Sequence, residues 1–209
     1  MSNYIVDTEI VENLTVNVYL DNDNDNINNP LSSECYLFGT VSCFHRKYNL
    51  SSDNSDFTDK EDLKRHISLK NVISLPVYLY DHSGITINTT GFSCEWDSGK
   101  IGYIHITKEE IYKEFNVKRI SSALLKKVYE NLVSVIDFID DYLTGNVHYF
   151  EVVDTDSGDL IEAVYGYVGD SDICLKEGIC HARYEVTKKQ MAYNKEAKNI
   201  KECNAIMYY

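Results

Sequence analysis

Residues 121–143 read SSALLKKVYENLVSVIDFIDDYL, and this segment determines the architecture. Its apolar side chains recur at intervals of three and four residues, the spacing that aligns them on one face of an α-helix. They are Leu125, Val128, Leu132, Val135, Ile136, Ile139 and Leu143. Gly145 follows at the position where a left-handed C-terminal cap belongs. The pattern therefore predicts a long amphipathic helix from Ser121 to Leu143, with buried side chains at Leu125, Leu132, Ile136 and Ile139.

Strand patterns lie on both sides of this helix. Apolar residues alternate from Leu14 to Leu20, as they do in a half-buried strand. Further strands are predicted at Cys35–Phe44, Leu75–Tyr80, Ile85–Thr89, Lys100–Ile106, Val147–Val153 and Leu160–Val168. Turn-forming residues at 81–84 (DHSG) and 154–159 (DTDSGD) separate two pairs of these strands. We therefore expect two β-hairpins.

Shorter helices and polar loops complete the expected organisation. The helices are predicted at 59–66, at 108–115 after an N-cap at Thr107, and from Ser171 or Asp172 to about residue 201 with a break near Gly178. Residues 21–32 and 49–58 are predicted to be polar loops, and residues 185–209 a C-terminal helical tail. This order of elements predicts a single α+β domain over residues 1–209, with an antiparallel or mixed sheet and C-terminal helices.

The charge is unevenly distributed along the 209 residues, whose net charge is −13. Residues 1–45 contain seven acids and residues 128–175 contain eleven, and neither segment contains a Lys or Arg. An acidic chain is poorly suited to holding phosphates over a broad surface, so we expect no direct nucleic-acid binding. No apolar run approaches the ~18 residues that a membrane span needs. We expect a cytoplasmic protein with no membrane partner.

The six cysteines and the acidic turns do not predict a metal site. No C-x-x-C pair occurs, and Cys174 with Cys180 and His181 lacks the paired spacing of structural zinc. The turn at 154–159 resembles a calcium loop, but an EF-hand needs a Glu at its twelfth position, where Tyr165 stands. A solvated hairpin turn is the better interpretation. We expect no metal and no cofactor.

Two segments suggest chemistry. Asp81, His82 and Ser83 place an acid, a base and a hydroxyl side by side, and Asp97 in the next loop could pair with His82. A nucleophile and its base must meet in space, however, and no G-x-S-x-G elbow is present. A hairpin turn is the simpler interpretation. Residues 45–48 (HRKY) form a small basic and aromatic group that could touch phosphate, although an ordinary strand end is favoured there.

The acidic end of the long helix is the more informative feature. Asp137, Asp140 and Asp141 share one face of the last two turns, where the helix dipole favours cations instead. Removing their charge is expected to leave the monomer as stable or slightly more stable, because like charges at this spacing repel. The expected partner-binding residues are these three and the acids that follow, Glu151, Asp154, Asp156, Asp159, Glu162, Asp170 and Asp172.

Several motifs resemble an uncharacterised acidic protein family of phages, plasmids and other mobile elements of low-GC Gram-positive bacteria. The resemblance is carried by residues 43–50 (CFHRKYNL), 75–86 (LPVYLYDHSGIT) and 96–102 (WDSGKIG), and continues at 141–145 and 165–167. It covers most of the chain from residue 35 to about residue 169. It implies a small accessory protein in a bacterial host cell, for which counter-defence is one role, and it assigns no catalytic residue.

Three function hypotheses follow. The first is a non-enzymatic acidic inhibitor, of the anti-CRISPR or antirestriction type, that acts as a DNA mimic on the basic nucleic-acid-binding surface of a host nuclease. The second is a small phage enzyme whose site is formed by Asp81, His82, Ser83 and Asp97 in the loops at 81–83 and 96–99. The third is a structural or regulatory phage protein that uses an apolar patch.

Overall fold

The computed structural model describes residues 4–21 and 29–206, with side chains up to residue 196. Helices and antiparallel strands both occur there, so the predicted α+β class is confirmed. The strands are β1 (Ile5–Val11), β2 (Leu14–Leu20), β3 (Thr40–Cys43), β4 (Val72–Asp81), β5 (Ile85–Asn88), β6 (Ser98–Thr107), β7 (Val147–Asp154) and β8 (Leu160–Val168). The helices are α1 (Lys60–Ile67), α2 (Lys108–Glu114), α3 (Ser122–Thr144) and α4 (Ser171–Ile206).

The chain divides into two compact units, each with its own sheet. The terminal unit takes the described residues of 1–26 and 147–209, and the central unit takes those of 27–146. The strand order is β1-β2-β7-β8 in the terminal unit and β3-β6-β4-β5 in the central unit, with antiparallel pairing throughout. The organisation of residues 1–209 as one domain stays a prediction.

In the terminal unit, α4 packs on one face of the sheet. The alternating residues Leu14, Val16 and Val18 of β2 point to that face and are fully buried. They form one apolar cluster with Phe150 and Val152 of β7 and with Cys174 and Ala182 of α4. The predicted hairpin at the β7–β8 turn and the predicted strand at β2 are confirmed.

Helix α4 runs through Gly178 without a break, contrary to the prediction. A Cβ atom built at Gly178 would lie 2.5 Å from Cγ1 of Val16 and 3.1 Å from the ring of Phe150. Glycine is therefore present because the helix backbone lies directly on the sheet, and not because the helix ends there. The helix continues through residues 185–206 of the expected tail.

In the central unit, α3 packs against the sheet through the predicted face. Val128, Leu132, Ile136 and Ile139 are buried, whereas Leu125 is half-buried. The side chain of Ser121 accepts a hydrogen bond from the backbone N–H of Leu124 at the start of the helix. Gly145 adopts φ 76° and closes the last turn, so the predicted left-handed cap is confirmed.

Two sequence predictions need correction. The strand expected at 35–44 is reduced to β3, because Gly39 adopts φ +91° and turns the chain just before Thr40. Strand β1, which the sequence analysis did not predict, pairs with β2 through a tight turn in which Glu12 has φ 55°. Most side chains of β1 are exposed, so the strand has no run of buried apolar residues from which it could be predicted.

The remaining predictions on local structure concern loops and helix starts. Residues 49–58 contain no helix or strand, and residues 22–28 of the other expected loop lie outside the described residues. Thr107 forms the predicted N-cap of α2, in a reciprocal capping box with Glu110. No helix in the described part of the chain combines the length and the apolar character needed to cross a membrane.

Candidate functional site

The β4–β5 hairpin positions the expected acid, base and hydroxyl. Its turn is closed by a hydrogen bond from the His82 N–H to the Gly84 carbonyl at 3.1 Å. Ser83 occupies the left-handed region with φ 59°, where non-glycine residues are uncommon. Successive side chains along a strand point to opposite faces, so Asp81 and His82 take different partners.

His82 and Asp97 come together as the sequence suggested. Nδ1 of His82 lies 3.3 Å from Oδ2 of Asp97. The pairing follows from the sheet, since the Asp81 N–H donates to the Asp97 carbonyl at 2.8 Å where β6 approaches the end of β4. The His82 side chain is 64% exposed, so water competes for this contact.

Asp81 is used elsewhere. Its carboxylate accepts hydrogen bonds from Nζ of Lys47 at 2.9 Å and from the hydroxyl of Tyr48 at 3.2 Å. These donors, and first of all the Lys47 ammonium, hold the pKa of Asp81 below its ordinary value. No hydrogen bond in the described part of the chain joins His82 to Ser83. The structure thus forms a His82–Asp97 pair but does not assemble a nucleophile, base and acid in one line.

A cleft of about 380 Å³ opens beside this pair in the central unit. It is lined by Gly99 and Ile101 at the start of β6, by Leu79 of β4 and by Phe44. The backbone N–H of Phe44 donates to the Ile101 carbonyl at 2.8 Å, so the segment after β3 continues along the sheet and forms one wall. Trp96 stands at the cleft with 96% of its surface exposed.

Cations surround this cleft. The side chains with basic groups that line it are His45, Arg46, Lys47, Lys60 and Lys100. Among the described residues that line it, the carboxylates are Asp81, which pairs with Lys47, and Asp97, which pairs with His82. Among the described residues, no carboxylate forms an ion pair with Arg46, Lys60 or Lys100. A cation-lined cleft thus lies within an acidic protein.

Three parts of this cleft were noted from the sequence, namely the HRKY segment at 45–48, Asp81 and the loop at 96–99. Lys60 comes from the first residue of α1 and Lys100 from β6, so the cluster is assembled from three separate segments. Lys60 has no distinctive sequence context, whereas Lys100 lies in the WDSGKIG motif at 96–102. The exposed tryptophan was visible in the sequence, but its exposure was not, because a lone Trp near a turn more often covers a core.

The three aspartates of α3 have different surroundings. Oδ1 of Asp140 accepts a hydrogen bond from the backbone N–H of Ile87 in β5 at 2.7 Å. Oδ1 of Asp141 accepts one from the side-chain amide of Asn146 at 2.7 Å, next to the helix C-terminus. Asp137 is exposed, but neighbouring atoms partly desolvate its carboxyl, and this desolvation, followed by the charges of Asp141 and Asp140, raises its pKa. The hydrogen bond at Asp140 argues against the expectation that its removal leaves the monomer as stable.

In the terminal unit, several of the expected binding acids organise turns and helix ends. Asp154 accepts from the backbone N–H groups of Asp156 and Ser157, both at 3.2 Å, which holds the β7–β8 turn and lowers its pKa. Asp159 accepts from the Ser157 hydroxyl at 2.9 Å. The Asp170 side chain accepts from the Asp172 N–H at 2.9 Å, at the start of α4.

The other acids of this unit have fewer partners. Oε2 of Glu162 lies 2.9 Å from Nδ1 of His181 in α4. Glu151 is half-buried and forms a hydrogen bond with Tyr19 that helps to raise the pKa of that phenol, after the larger effect of burial. Asp156 and Asp172 are exposed, and neither side chain accepts a hydrogen bond among the described residues.

None of the ten expected binding acids forms an ion pair with a Lys or Arg within the described ranges. The single ion pair in the set is the one between Glu162 and His181. Among the described residues, therefore, no tertiary lysine or arginine partner offsets these acids at ion-pair distance. Lysines act on two of these acids from beyond ion-pair distance, Lys189 on Asp154 and Lys188 on Glu162.

The residues considered as metal ligands, Cys174, Cys180 and Asp154, do not have the surroundings of a metal site. Cys174 is buried in the terminal core, and that burial raises the pKa of its thiol to about 12, whereas Cys180 is exposed. Asp154 turns its carboxylate toward backbone N–H groups, as a turn residue does. No group of three or more His, Cys, Asp or Glu side chains converges within the described residues. The absence of metal and cofactor stays a prediction.

Comparison with protein-family models, with curated proteins and with solved structures gives no match for this chain.

Proposed function

We propose that this chain is a non-enzymatic binding protein of a phage or mobile element, which presents carboxylates to a cationic surface of a host protein. The observation that carries the proposal is the lack of any Lys or Arg ion pair at the ten acids, within the described residues. A carboxylate without a Lys or Arg at ion-pair distance can attract a cationic side chain of another protein. The resemblance in sequence motifs supports a counter-defence role in the cytoplasm of a bacterial host.

The host protein that fits these carboxylates is a nuclease with a nucleic-acid-binding groove. The groove of such an enzyme carries Lys and Arg to neutralise phosphates, and carboxylates compete for the same cations. Complementary charge mainly accelerates the encounter and fixes orientation, and its contribution falls with added salt. The inhibitor would therefore associate fast at low salt and slowly at high salt.

The acids divide into two groups for this role. In the first group, Asp140, Asp154 and Asp170, the carboxylates accept hydrogen bonds from backbone N–H groups of the same molecule. The second group is Asp156, Asp172 and Glu151. Asp156 and Asp172 are exposed and accept no hydrogen bond among the described residues, and Glu151 forms a hydrogen bond with Tyr19. The second group is the one that a binding test must change, because its members do not hold the fold together.

The test uses the variant Glu151→Gln, Asp156→Asn and Asp172→Asn. Its matched control is Glu9→Gln, Glu34→Gln and Asp56→Asn, which removes the same charge from exposed acids whose side chains make no hydrogen bond among the described residues. Wild type, variant and control are each immobilised and exposed to a lysate of a low-GC Gram-positive host. The retained proteins are purified and assayed for DNA cleavage with wild type, variant and control.

We expect the wild type and the control to retain a nuclease and block its cleavage, and the variant to do neither. The association rate of the wild type should fall as salt rises, and the variant should show a flatter dependence. Equal retention and equal inhibition by wild type and variant would overturn the role of these acids. Retention of proteins that neither bind nor cut nucleic acid would overturn the nuclease assignment.

A second candidate function is favoured by one distance, the 3.3 Å between His82 and Asp97. A carboxylate that orients a histidine is part of many hydrolytic sites, and Ser83 follows directly in the chain. The test is labelling by a fluorophosphonate probe, which reacts with activated serines. Labelling of the wild type that is lost in both Ser83→Ala and His82→Ala would establish this enzyme, and no labelling of the wild type would exclude an activated Ser83.

A further inference from the structure

The cation-lined cleft of the central unit is not used by the proposed acidic binding surface. It carries charge of the opposite sign, with Arg46, Lys47, Lys60 and Lys100 against Asp81 and Asp97. Both carboxylates already hold a partner, at 2.9 Å for Lys47 with Asp81 and 3.3 Å for His82 with Asp97. The cations that remain without a carboxylate are Arg46, Lys60 and Lys100, so the cleft as built attracts an anion.

The three remaining cations are available for a ligand. Arg46 and Lys60 are exposed and make no side-chain hydrogen bond among the described residues. Nζ of Lys100 donates to the hydroxyl of Tyr103 at 2.8 Å and lies 4.9 Å from the centre of that ring, which holds the ammonium in place without neutralising it. Arg presents a planar fork that matches phosphate, and Lys adds a point charge, so the set is suited to a phosphate-bearing ligand.

Trp96 adds a second recognition element. Its 96% exposure means that it covers no core, although burying a ring of this size is among the most favourable contacts a side chain can make. A flat ring next to a cationic cleft is the arrangement on which a nucleobase stacks, at about 1–3 kcal/mol per base. The lining also includes the apolar residues Phe44, Leu79 and Ile101, of which Leu79 and Ile101 are almost fully buried in the core of the central unit.

The size of the cleft selects a small ligand. Its volume of about 380 Å³ lies at the lower end of the range of small-molecule sites, roughly 300–1,000 Å³.

We propose that the central unit binds a nucleotide in this cleft, with the phosphates held by Arg46, Lys60 and Lys100 and the base stacked on Trp96. The proposal does not rest on the acidic binding surface, since none of the ten acids lines the cleft. It assigns a ligand class to a site for which the sequence favoured an ordinary strand end.

The experiment uses the tryptophan itself as the reporter, because Trp96 is the single Trp of the chain. Its fluorescence is recorded while ATP, AMP, adenosine, inorganic triphosphate and a short oligothymidylate are added to the full-length protein. Isothermal calorimetry repeats each titration, so that variants without the tryptophan can be measured too.

We expect a saturable change with ATP, weaker binding of AMP and little binding of adenosine, because the phosphates supply most of the attraction. Arg46→Gln and Lys60→Gln should each weaken ATP binding about tenfold or more, the effect of losing one charge-assisted contact. Trp96→Ala should weaken ATP binding without changing the binding of inorganic triphosphate. The matched control Lys118→Gln with Arg119→Gln, an exposed basic pair outside the cleft, should bind ATP like the wild type.

Three results would overturn the proposal. The first is no saturable binding of any nucleotide. The second is an equal loss of ATP binding in the control and in the cleft variants, which would mean that binding follows net charge alone. The third is binding of oligothymidylate far tighter than that of ATP, which would make the cleft part of a nucleic-acid surface. Melting temperatures of all variants show whether each is folded.

Discussion

Two aspartates on α3 illustrate how neighbouring acids can serve opposite purposes. Asp140 accepts the backbone N–H of Ile87 and so anchors β5 to the helix, whereas Asp137 makes no such bond and has a raised pKa. A raised pKa means that folding disfavours the ionised form, so ionised Asp137 costs stability at neutral pH. Identity of residue type and closeness in sequence therefore do not imply a shared role.

The first prediction compares Asp140→Ala with Asp137→Ala. Both changes gain the same helix propensity, so their difference reports the bond to Ile87 together with the cost of the ionised Asp137 carboxylate. We expect Asp140→Ala to be less stable than Asp137→Ala by about 1–3 kcal/mol, the cost of leaving a backbone N–H without its acceptor. Urea unfolding of both variants measures it. Equal midpoints for the two variants would show that the bond contributes nothing.

His105 is a second residue whose environment sets its charge. It is buried in the central unit, where Nε2 lies 3.0 Å from Oγ of Ser42 and the rings of His66 and Phe57 are close by. Burial, followed by the charge of His66, lowers the pKa of His105 to about 4. The folded protein therefore holds His105 neutral at a pH where the unfolded chain would protonate it.

The second prediction follows from that difference. Between pH 6.5, the ordinary value, and about 4, the unfolded state binds more protons, so stability falls as the pH is lowered through this window. At the bottom of the window the loss should be on the order of 2–3 kcal/mol. Unfolding midpoints measured from pH 7 to 4 should decline, and His105→Gln should decline less steeply. A slope unchanged in His105→Gln would assign the pH dependence to other groups.

At the scale of elements, α4 and α3 are held in place by different means. Gly178 lets α4 lie on β2 and β7 because it has no side chain, while α3 is held by large side chains such as Leu132, which is fully buried. The two helices should therefore respond oppositely to a change in volume at the contact.

The third prediction tests the two contacts together. Gly178→Ala gains about 1 kcal/mol of helix propensity, but its Cβ would meet Cγ1 of Val16 at 2.5 Å, and overpacking costs typically 1–3 kcal/mol. We expect a net loss of about 1 kcal/mol. Leu132→Ala should cost about 2–5 kcal/mol by leaving a cavity. Gly84→Ala, where an added Cβ meets nothing within 4 Å, is the control, and all three are compared by urea unfolding. A more stable Gly178→Ala would show that α4 moves away from the sheet at little cost.

The elements differ in how far they could be predicted from sequence. Helix α3 with its C-terminal cap at Gly145, the N-cap of α2 and the β7–β8 hairpin depend on neighbours within a few residues, and each was predicted. The membership of the sheets was not, because β2 pairs with β7 more than a hundred residues later in the chain. Strand β1 escaped prediction since its exposed side chains follow no buried pattern.

The candidate sites show the same limit. The His82–Asp97 pair could be anticipated, because a hairpin turn and the start of the next strand meet at one edge of a sheet. The cation-lined cleft could not, since Arg46, Lys60 and Lys100 come from three segments that only the fold brings together. The backbone bond of Asp140 was equally out of reach, as it joins α3 to a strand about fifty residues earlier.

At the scale of the whole molecule, the two units have separate cores. The apolar cluster of the central unit is formed by residues between 31 and 143, and that of the terminal unit by residues before 20 and after 149. No buried residue belongs to both clusters among the described residues. Each core therefore contains the apolar contacts that a cooperative transition requires.

The fourth prediction concerns the central unit alone. A polypeptide of residues 27–146 should fold and unfold in one cooperative transition, because both strands and helices of its core lie within that range. Circular dichroism during heating measures the transition, and Leu132→Ala in the same polypeptide should lower its midpoint. A polypeptide with no transition would show that this core needs the terminal unit.

The two chain segments of the terminal unit are separated by the whole central unit, so they are synthesised at different times. On a ribosome, β1 and β2 emerge first, but β7 and α4, which complete their sheet and cover it, are translated only after the whole central unit. The central unit can therefore fold before the terminal unit is complete. Until β7 and α4 have been made, one edge of β2 has no strand partner and its apolar face is uncovered. An open strand edge is a template for incorrect pairing, so the nascent chain is most exposed to aggregation at its beginning until its last quarter has been made.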